Sequence, residues 1–282
     1  MEGLFGFHRS ASRDIAIIPL HDPRYPPLLR RVYDPPAALY VRGDINVISR
    51  TDAIAVVGTR QMTRYGETVA TRIASSVAAT GTPIISGLAL GIDAVAHEAT
   101  LAAGGIAVAV LAAGVADRDI GPRANFGLAQ RILKNGGVLL SEFPSGTPAT
   151  KEKFPLRNRI VAGLSKATIV IEAAKKSGAL ITARLALEDG RDVYAVPGPI
   201  TSSASEGTNL LISQGATPIL STDALLEELG LTPASSPTML SDDERTVLEQ
   251  IKKGITSPDA IAQITGLPTR KVAAALAALT IK

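Results

Sequence analysis

The stretch Ala53-Ile-Ala-Val-Val-Gly-Thr-Arg60 decides how the rest of the chain is read. Its first five residues are apolar at every position rather than at alternate ones, as in a strand buried on both faces. It then breaks at a glycine and a cation, and residues 65–80 take up a helical pattern. The same rhythm recurs downstream. Pro83-Ile-Ile-Ser86 is a second strand, followed by the loop Gly87-Leu-Ala-Leu-Gly91 and a helix over residues 92–103. Further strands are expected over residues 106–111, 138–141, 167–171, 192–196 and 217–220. Helices are expected over residues 125–135, 179–188 and 209–214. This alternation predicts an α/β domain, residues 51–229, built on a mostly parallel sheet with helices on both faces.

Working outward, residues 1–50 are rich in proline and arginine, which forbids long helices. Pro26-Pro-Leu-Leu-Arg-Arg-Val can start a short helix, and Leu39-Tyr-Val-Arg-Gly43 reads as a short strand. The segment is expected to pack on the main domain as a lead-in. On the other side, residues 230–240 hold Pro233, Ser235, Ser236 and Pro237 and read as a linker. Residues 241–282 then carry three short amphipathic patterns, at 242–252, 258–265 and 269–281. The last two flank a Gly-containing turn, as in helix-turn-helix modules. Six basic and five acidic residues leave this small all-α domain at +1, which fits protein contact at least as well as duplex binding.

Open parallel sheets bind ligands at the carboxyl ends of their strands, where loops feed helix N-termini. Three of those loops carry Arg or Lys: Gly58-Thr-Arg60, the stretch from Lys151, and Lys175-Lys-Ser-Gly178. The second is Lys151-Glu-Lys-Phe-Pro-Leu-Arg-Asn-Arg-Ile-Val-Ala-Gly-Leu-Ser165. From Lys151 to Lys166 five basic residues meet one acid, Glu152, a local charge of +4 against +3 for the whole chain. Pro155 suggests a helix opening at Leu156, with Phe154 extended before it. Cations for phosphates and a ring for a base are what a single-stranded nucleic-acid site needs.

Other classes of chemistry find little support. The chain has no cysteine, which excludes thiol catalysis, disulfides and thiolate zinc sites and fits a reducing cytoplasm. Its longest apolar run, over residues 106–116, is too short to span a bilayer, so a soluble protein with no membrane partner is expected. There is no G-x-G-x-x-G after the first strand, no phosphate-binding P-loop and no G-x-S-x-G elbow. Asp93 and His97 share a helix face, but two ligands do not hold a metal, and His8 and His21 lie in the lead-in. A capping Asp beside a hydrogen-bonded packing His is the expectation. For Glu172 the expectation is an ion pair with Arg157 or Arg159. No catalytic residue, metal site or cofactor is assigned.

The ordered set of motifs resembles the DNA-processing protein A family (DprA, also called Smf). The matching pieces are Val57-Gly-Thr-Arg60, Ser86-Gly-Leu-Ala-Leu-Gly-Ile-Asp93 with His97, and Phe154-Pro-Leu-Arg-Asn-Arg-Ile-Val-Ala-Gly-Leu-Ser165. Ser177-Gly-Ala-Leu-Ile-Thr-Ala183, Gly190-Arg-Asp-Val-Tyr-Ala-Val-Pro-Gly198 and Gly207-Thr-Asn-Leu-Leu-Ile-Ser-Gln-Gly-Ala216 follow in the family's order. The resemblance implies an extended Rossmann fold that binds single-stranded DNA, forms homodimers, and delivers strands to the RecA recombinase in recombination and natural transformation. It implies no catalytic turnover. It places the DNA pocket at Gly58, Thr59 and Arg60, with Lys151 and Phe154; Arg157, Asn158 and Arg159 fall in the same motif, either touching phosphate or bracing the pocket. It places dimer and recombinase surfaces around Leu210, Leu211 and Ile212. Many members end in a winged helix, and with the chain stopping at Lys282 the last domain is expected to be a truncated form of it. The competing enzyme reading is a nucleotide phosphoribohydrolase, which wants a P-G-G-x-G-T loop near a catalytic Glu. Pro197-Gly-Pro199 and Glu206-Gly-Thr208 supply neither the spacing nor the order.

Overall fold

The structure, a computed structural model, describes residues 15–49, 52–232, 242–255 and 257–281. It divides into two compact units, one up to Pro233 and one from Ala234. Most of the expected linker, residues 233–240, lies outside the described residues, as does His8.

In chain order the first unit comprises β1 (Ala16–Pro19), β2 (Ala38–Arg42), α1 (Asn46–Ser49), β3 (Ile54–Val57), α2 (Arg64–Ala79) and β4 (Ile84–Ser86). Then come α3 (Ile92–Ala102), β5 (Ala107–Val110), α4 (Phe126–Lys134), β6 (Val138–Ser141) and α5 (Lys153–Gly163). It ends with β7 (Ala167–Val170), α6 (Gly178–Glu188), β8 (Asp192–Ala195), α7 (Glu206–Ser213), β9 (Thr217–Pro218) and α8 (Thr222–Glu228). All nine strands form one sheet in the order β1-β2-β6-β5-β4-β3-β7-β8-β9. From β6 to β9 every pairing is parallel; β1–β2 and β2–β6 are antiparallel. The proline-rich lead-in therefore extends the sheet edge. Leu29–Arg31 form only a short 3-10 turn, and α8, capped by Ser221, is not among the expected helices.

β3 pairs with β4 on one side and β7 on the other, and all four of its residues are buried. Helix α2 shows why the next segment is helical. Thr63 caps it, its Oγ accepting from the Gly66 amide, and Ala70, Ile73, Ala74 and Val77 form the buried stripe. Truncating the fully buried Ile73 to Ala would cost roughly 2–5 kcal/mol. Residues of α2, α3 and α8 pack on one face of β3 and β7 around Ile54, Val56 and Ile169. Residues of α5, α6 and α7 pack on the other around Ala55, Val57 and Val170. The sheet is doubly wound. Its strand order advances from β3 to β6 in one direction and from β7 to β9 in the other, so β3 and β7 flank the switch point.

The second unit is α9 (Asp242–Lys252), α10 (Pro258–Thr265) and α11 (Thr269–Ile281) around Val247, Ile261, Val272 and Ala275. Gly266 ends α10 at φ +71°, a left-handed cap that suits glycine and turns the chain into α11.

Candidate nucleic-acid interface

At the switch point the loops after β3 and β7 bound a cleft of about 480 Å³. Its wall on the β3 side is Gly58, Thr59, Arg60 and Gln61. The Thr59 amide donates to the Glu172 carbonyl (2.8 Å), and the Thr59 carbonyl accepts from the Ile92 amide (3.1 Å). This ties the loop to the end of β7 and the start of α3. Gly58 fits only as glycine, because a Cβ there would stand 2.6 Å from Ile92 Cγ1. The backbone can thus approach whatever fills the cleft.

The opposite wall comes from α5 and α6. Arg60 reaches across so that its Cζ lies 4.7 Å from the centroid of the Phe154 ring. Neither Arg60 nor Lys176, which also lines the cleft, joins an ion pair among the described residues. A guanidinium plane stacked on a ring offers a base one more layer of the same stack, and its charge is available to phosphate. The start of α6 completes this side: Ser177 Oγ accepts from the Ala179 amide (3.3 Å), and Asn158 Nδ2 donates to the Gly178 carbonyl (3.3 Å). Ser177, Gly178 and Ala179 line the cleft, where a helix N-terminus favours an anion.

Arg157 forms the floor. It is buried, its Nη1 donates to the Val110 carbonyl (2.8 Å), and it rests against Gly87. Asp93 shares the floor, accepting from the amides of Gly87 (3.0 Å) and Ala89 (3.4 Å). Burial pushes the Asp93 carboxyl above the usual range, opposed by the neighbouring Arg157. Burial also lowers the Arg157 guanidinium, with Asp93 pulling the other way.

Several expectations are corrected here. Helix α5 begins at Lys153, so Phe154 and Pro155 lie inside its first turn rather than before it. Proline is tolerated there because the first amides of a helix have no partner within it. Lys151 is exposed and does not line the cleft, and neither does Arg159. Arg159 instead binds Glu142 and the backbone carbonyl of Asp34 (2.7 Å), with the Asp34 carboxylate at 3.6 Å. Arg157 is buried and bonded to the Val110 carbonyl, which suits the bracing role among the two open to it.

Glu172 pairs with neither arginine. Its carboxylate accepts from the Thr63 amide (2.9 Å) and hydroxyl (2.6 Å) at the start of α2. Asp93 caps the Gly87–Ala89 loop instead of its own helix. Among the described residues His97 has no hydrogen-bond partner on either ring nitrogen, and burial lowers its pKa to about 3. In α7, Leu210 is exposed, Ile212 is half-buried against the core, and Leu211 belongs to the core. Among the described residues no cluster of three or more acidic or His side chains could hold a metal, and no helix is long and apolar enough to cross a membrane.

Of the residues singled out in the sequence, the cleft unites Gly58, Thr59, Arg60, Phe154, Arg157 and Asn158. The cleft adds Lys176 and the α6 N-terminus, whose only sign in the sequence is the cationic strand-end loop Lys175-Lys-Ser-Gly178.

Residues 16–230 match the family model described as DNA recombination-mediator protein A, and residues 232–282 match the DprA winged helix domain. The C-terminal helices thus fall within a winged-helix match that runs through residue 282. The chain is 40% identical to Protein Smf of Escherichia coli over 277 residues, covering 94% of this chain and 73% of that protein. It superposes on the X-ray structure of DNA processing protein A from Streptococcus pneumoniae with a TM-score of 0.71 at 37% identity, over 77% of this chain and 75% of that one. It also superposes on DNA processing protein A from Helicobacter pylori, a structure concerned with that protein's single-stranded DNA binding mode. There the TM-score is 0.70 at 29% identity, over 78% of this chain and 97% of that one.

Proposed function

The chain belongs to the DNA recombination-mediator protein A family, and from that membership we propose that its switch-point cleft binds single-stranded DNA. The observation that carries the reading is the Arg60 guanidinium stacked on Phe154 at the mouth of a cleft whose far wall is the N-terminus of α6. Phosphate sits against Arg60, Lys176 and the α6 amides, while a base extends the Arg60–Phe154 stack. Lys151, two residues ahead of α5, meets a phosphate outside the cleft. Arg157 and Asn158 hold the walls in place. Duplex DNA has its bases already stacked in pairs and cannot offer one to the ring.

The protein acts as a binding mediator and not as an enzyme. It shields single strands in the cytoplasm as a homodimer and helps load the RecA recombinase onto them, in homologous recombination and natural transformation. Leu210 on α7 supplies the exposed apolar contact for self-association. What favours mediation over nucleotide hydrolysis is the use of Glu172: its carboxylate is occupied by Thr63 at a helix start, which leaves it unsuited to a base's role. An electrophoretic shift with a single strand and with the duplex of the same sequence tests the proposal. Retardation of the single strand at lower protein concentration is expected; preference for the duplex would overturn it.

A further inference from the structure

Beyond the cleft, the carboxyl edge of the sheet carries a second surface built around Tyr65. The β7 end and the start of α2 lead directly from one to the other, since Thr63 is bonded to Glu172 and Thr59 to the Glu172 carbonyl. Tyr65 is 46% exposed, and its hydroxyl donates to the Pro197 carbonyl (2.9 Å) in the loop after β8. That bond holds the ring at the junction of two shallow clefts. One is lined by Thr63, Glu172, Pro197, Gly198 and Pro199. The other runs along α2 past Thr68 and Arg72, with Leu220 and Ser221 opposite. Ile200, one residue past Pro199, is 92% exposed, and Leu220 is 82% exposed.

We propose that this surface is a second nucleotide subsite, on which a single strand leaving the switch-point cleft stacks a base on Tyr65. The proposal rests on the reading of that cleft as a DNA site. A strand emerging past Arg60 follows residues 61–63 to the start of α2 and meets the Tyr65 ring next. Arg72 lies two helical turns along the same face of α2, and neither it nor Arg64, the residue before Tyr65, joins an ion pair among the described residues. One acid, Asp223, also lines the α2 cleft, so stacking rather than net charge carries the contact. A ring fixed through its hydroxyl loses little freedom when a base settles on it.

The test is the affinity of the full chain for oligothymidylates from about 4 to about 16 nucleotides, measured for the parent and for Tyr65→Ala, Tyr65→Phe, Arg72→Glu and Arg60→Ala. Tyr65→Ala should bind the shortest strands like the parent and lose about five- to a hundredfold on the longer ones, with its salt slope unchanged. Tyr65→Phe should keep most of the longer-strand affinity, giving up only what the hydroxyl tether contributes, and the exposed Arg72→Glu should lower it with no effect on the fold. Arg60→Ala should lose affinity at every length. If Tyr65→Ala and Arg72→Glu follow the parent at every length while Arg60→Ala does not, the subsite is wrong, the cleft stands, and the surface belongs to a protein partner. If Arg60→Ala also binds like the parent, the cleft reading itself fails.

Discussion

A Cβ on Gly87 would lie 1.6 Å from Nη1 of Arg157, so the guanidinium occupies the space that any side chain at position 87 would need. The same Nη1 is bonded to the Val110 carbonyl, which leaves the buried group little room to retreat. Gly87→Ala should therefore displace Arg157 and cost about 1–3 kcal/mol of stability in denaturant unfolding. In an Arg157→Met background the same substitution should cost much less, a non-additivity that a double-mutant cycle measures directly. Additive losses would mean that the two residues do not share that space.

Thr63 and Glu172 form the second structural hinge of the site. Thr63→Ala removes both the cap on α2 and a partner of the Glu172 carboxylate, so a loss of about 1–2 kcal/mol is expected. Glu172→Gln keeps an acceptor and should cost less. Both folded variants should bind single-stranded DNA within about tenfold of the parent, or 1.4 kcal/mol. Nucleotide hydrolysis by the pure parent that vanishes in Glu172→Gln would assign Glu172 a catalytic role instead.

His97 makes stability pH-dependent. Unfolded, its imidazole titrates near 6.5; folded, burial holds it at about 3. Between those values the unfolded chain binds the extra proton, so this contribution is present above 6.5 and is lost as pH falls toward 3. The slope is at most about 1.4 kcal/mol per pH unit. Asp93, raised by burial, acts in the opposite sense: its contribution is present below the ordinary carboxylate pKa and is lost as pH rises through the folded value. Comparing the parent with His97→Leu isolates the histidine, and the variant should lose less stability between pH 6.5 and 4. Parallel pH profiles would show that His97 is protonated in the fold.

The proposed self-association is tested at two adjacent leucines. Leu210 is 40% exposed and Leu211 is 7% exposed. Leu210→Arg should give a folded monomer by light scattering, whereas Leu211→Arg should unfold the domain by burying a charge. A folded Leu210→Arg dimer would move the interface elsewhere.

The sequence announced the sheet because β3 and β5 are apolar throughout and β7 is broken only by the buried Thr168, a pattern with few alternatives once helical stretches separate the strands. It announced Arg60 because it follows a glycine at the end of a buried strand, and Phe154 because a ring among cations is rare in a chain with 4% aromatic residues. What stayed hidden depends on neighbours distant in sequence. Arg157, Arg159 and Lys151 look alike as basic residues of one stretch. Helical geometry sends Arg157 under Gly87 and Arg159 toward Glu142 and Asp34, and leaves Lys151 outside the first turn. The partner of Glu172 lies 109 residues away, beyond any local rule. Strand β1 was lost in proline-rich sequence because antiparallel edge strands tolerate Pro at their ends.

The salt dependence of single-strand binding, compared for the parent, Arg60→Ala and Phe154→Ala, tests the cleft most directly. Each phosphate neutralised on a single strand contributes about −0.7 to the slope of log K against log salt. Arg60→Ala should bind more weakly with a slope flatter by about that amount. Phe154→Ala should lose about 1–3 kcal/mol with the slope unchanged. Folded variants that bind a single strand like the parent, with the parent's slope, would contradict the cleft as the DNA site.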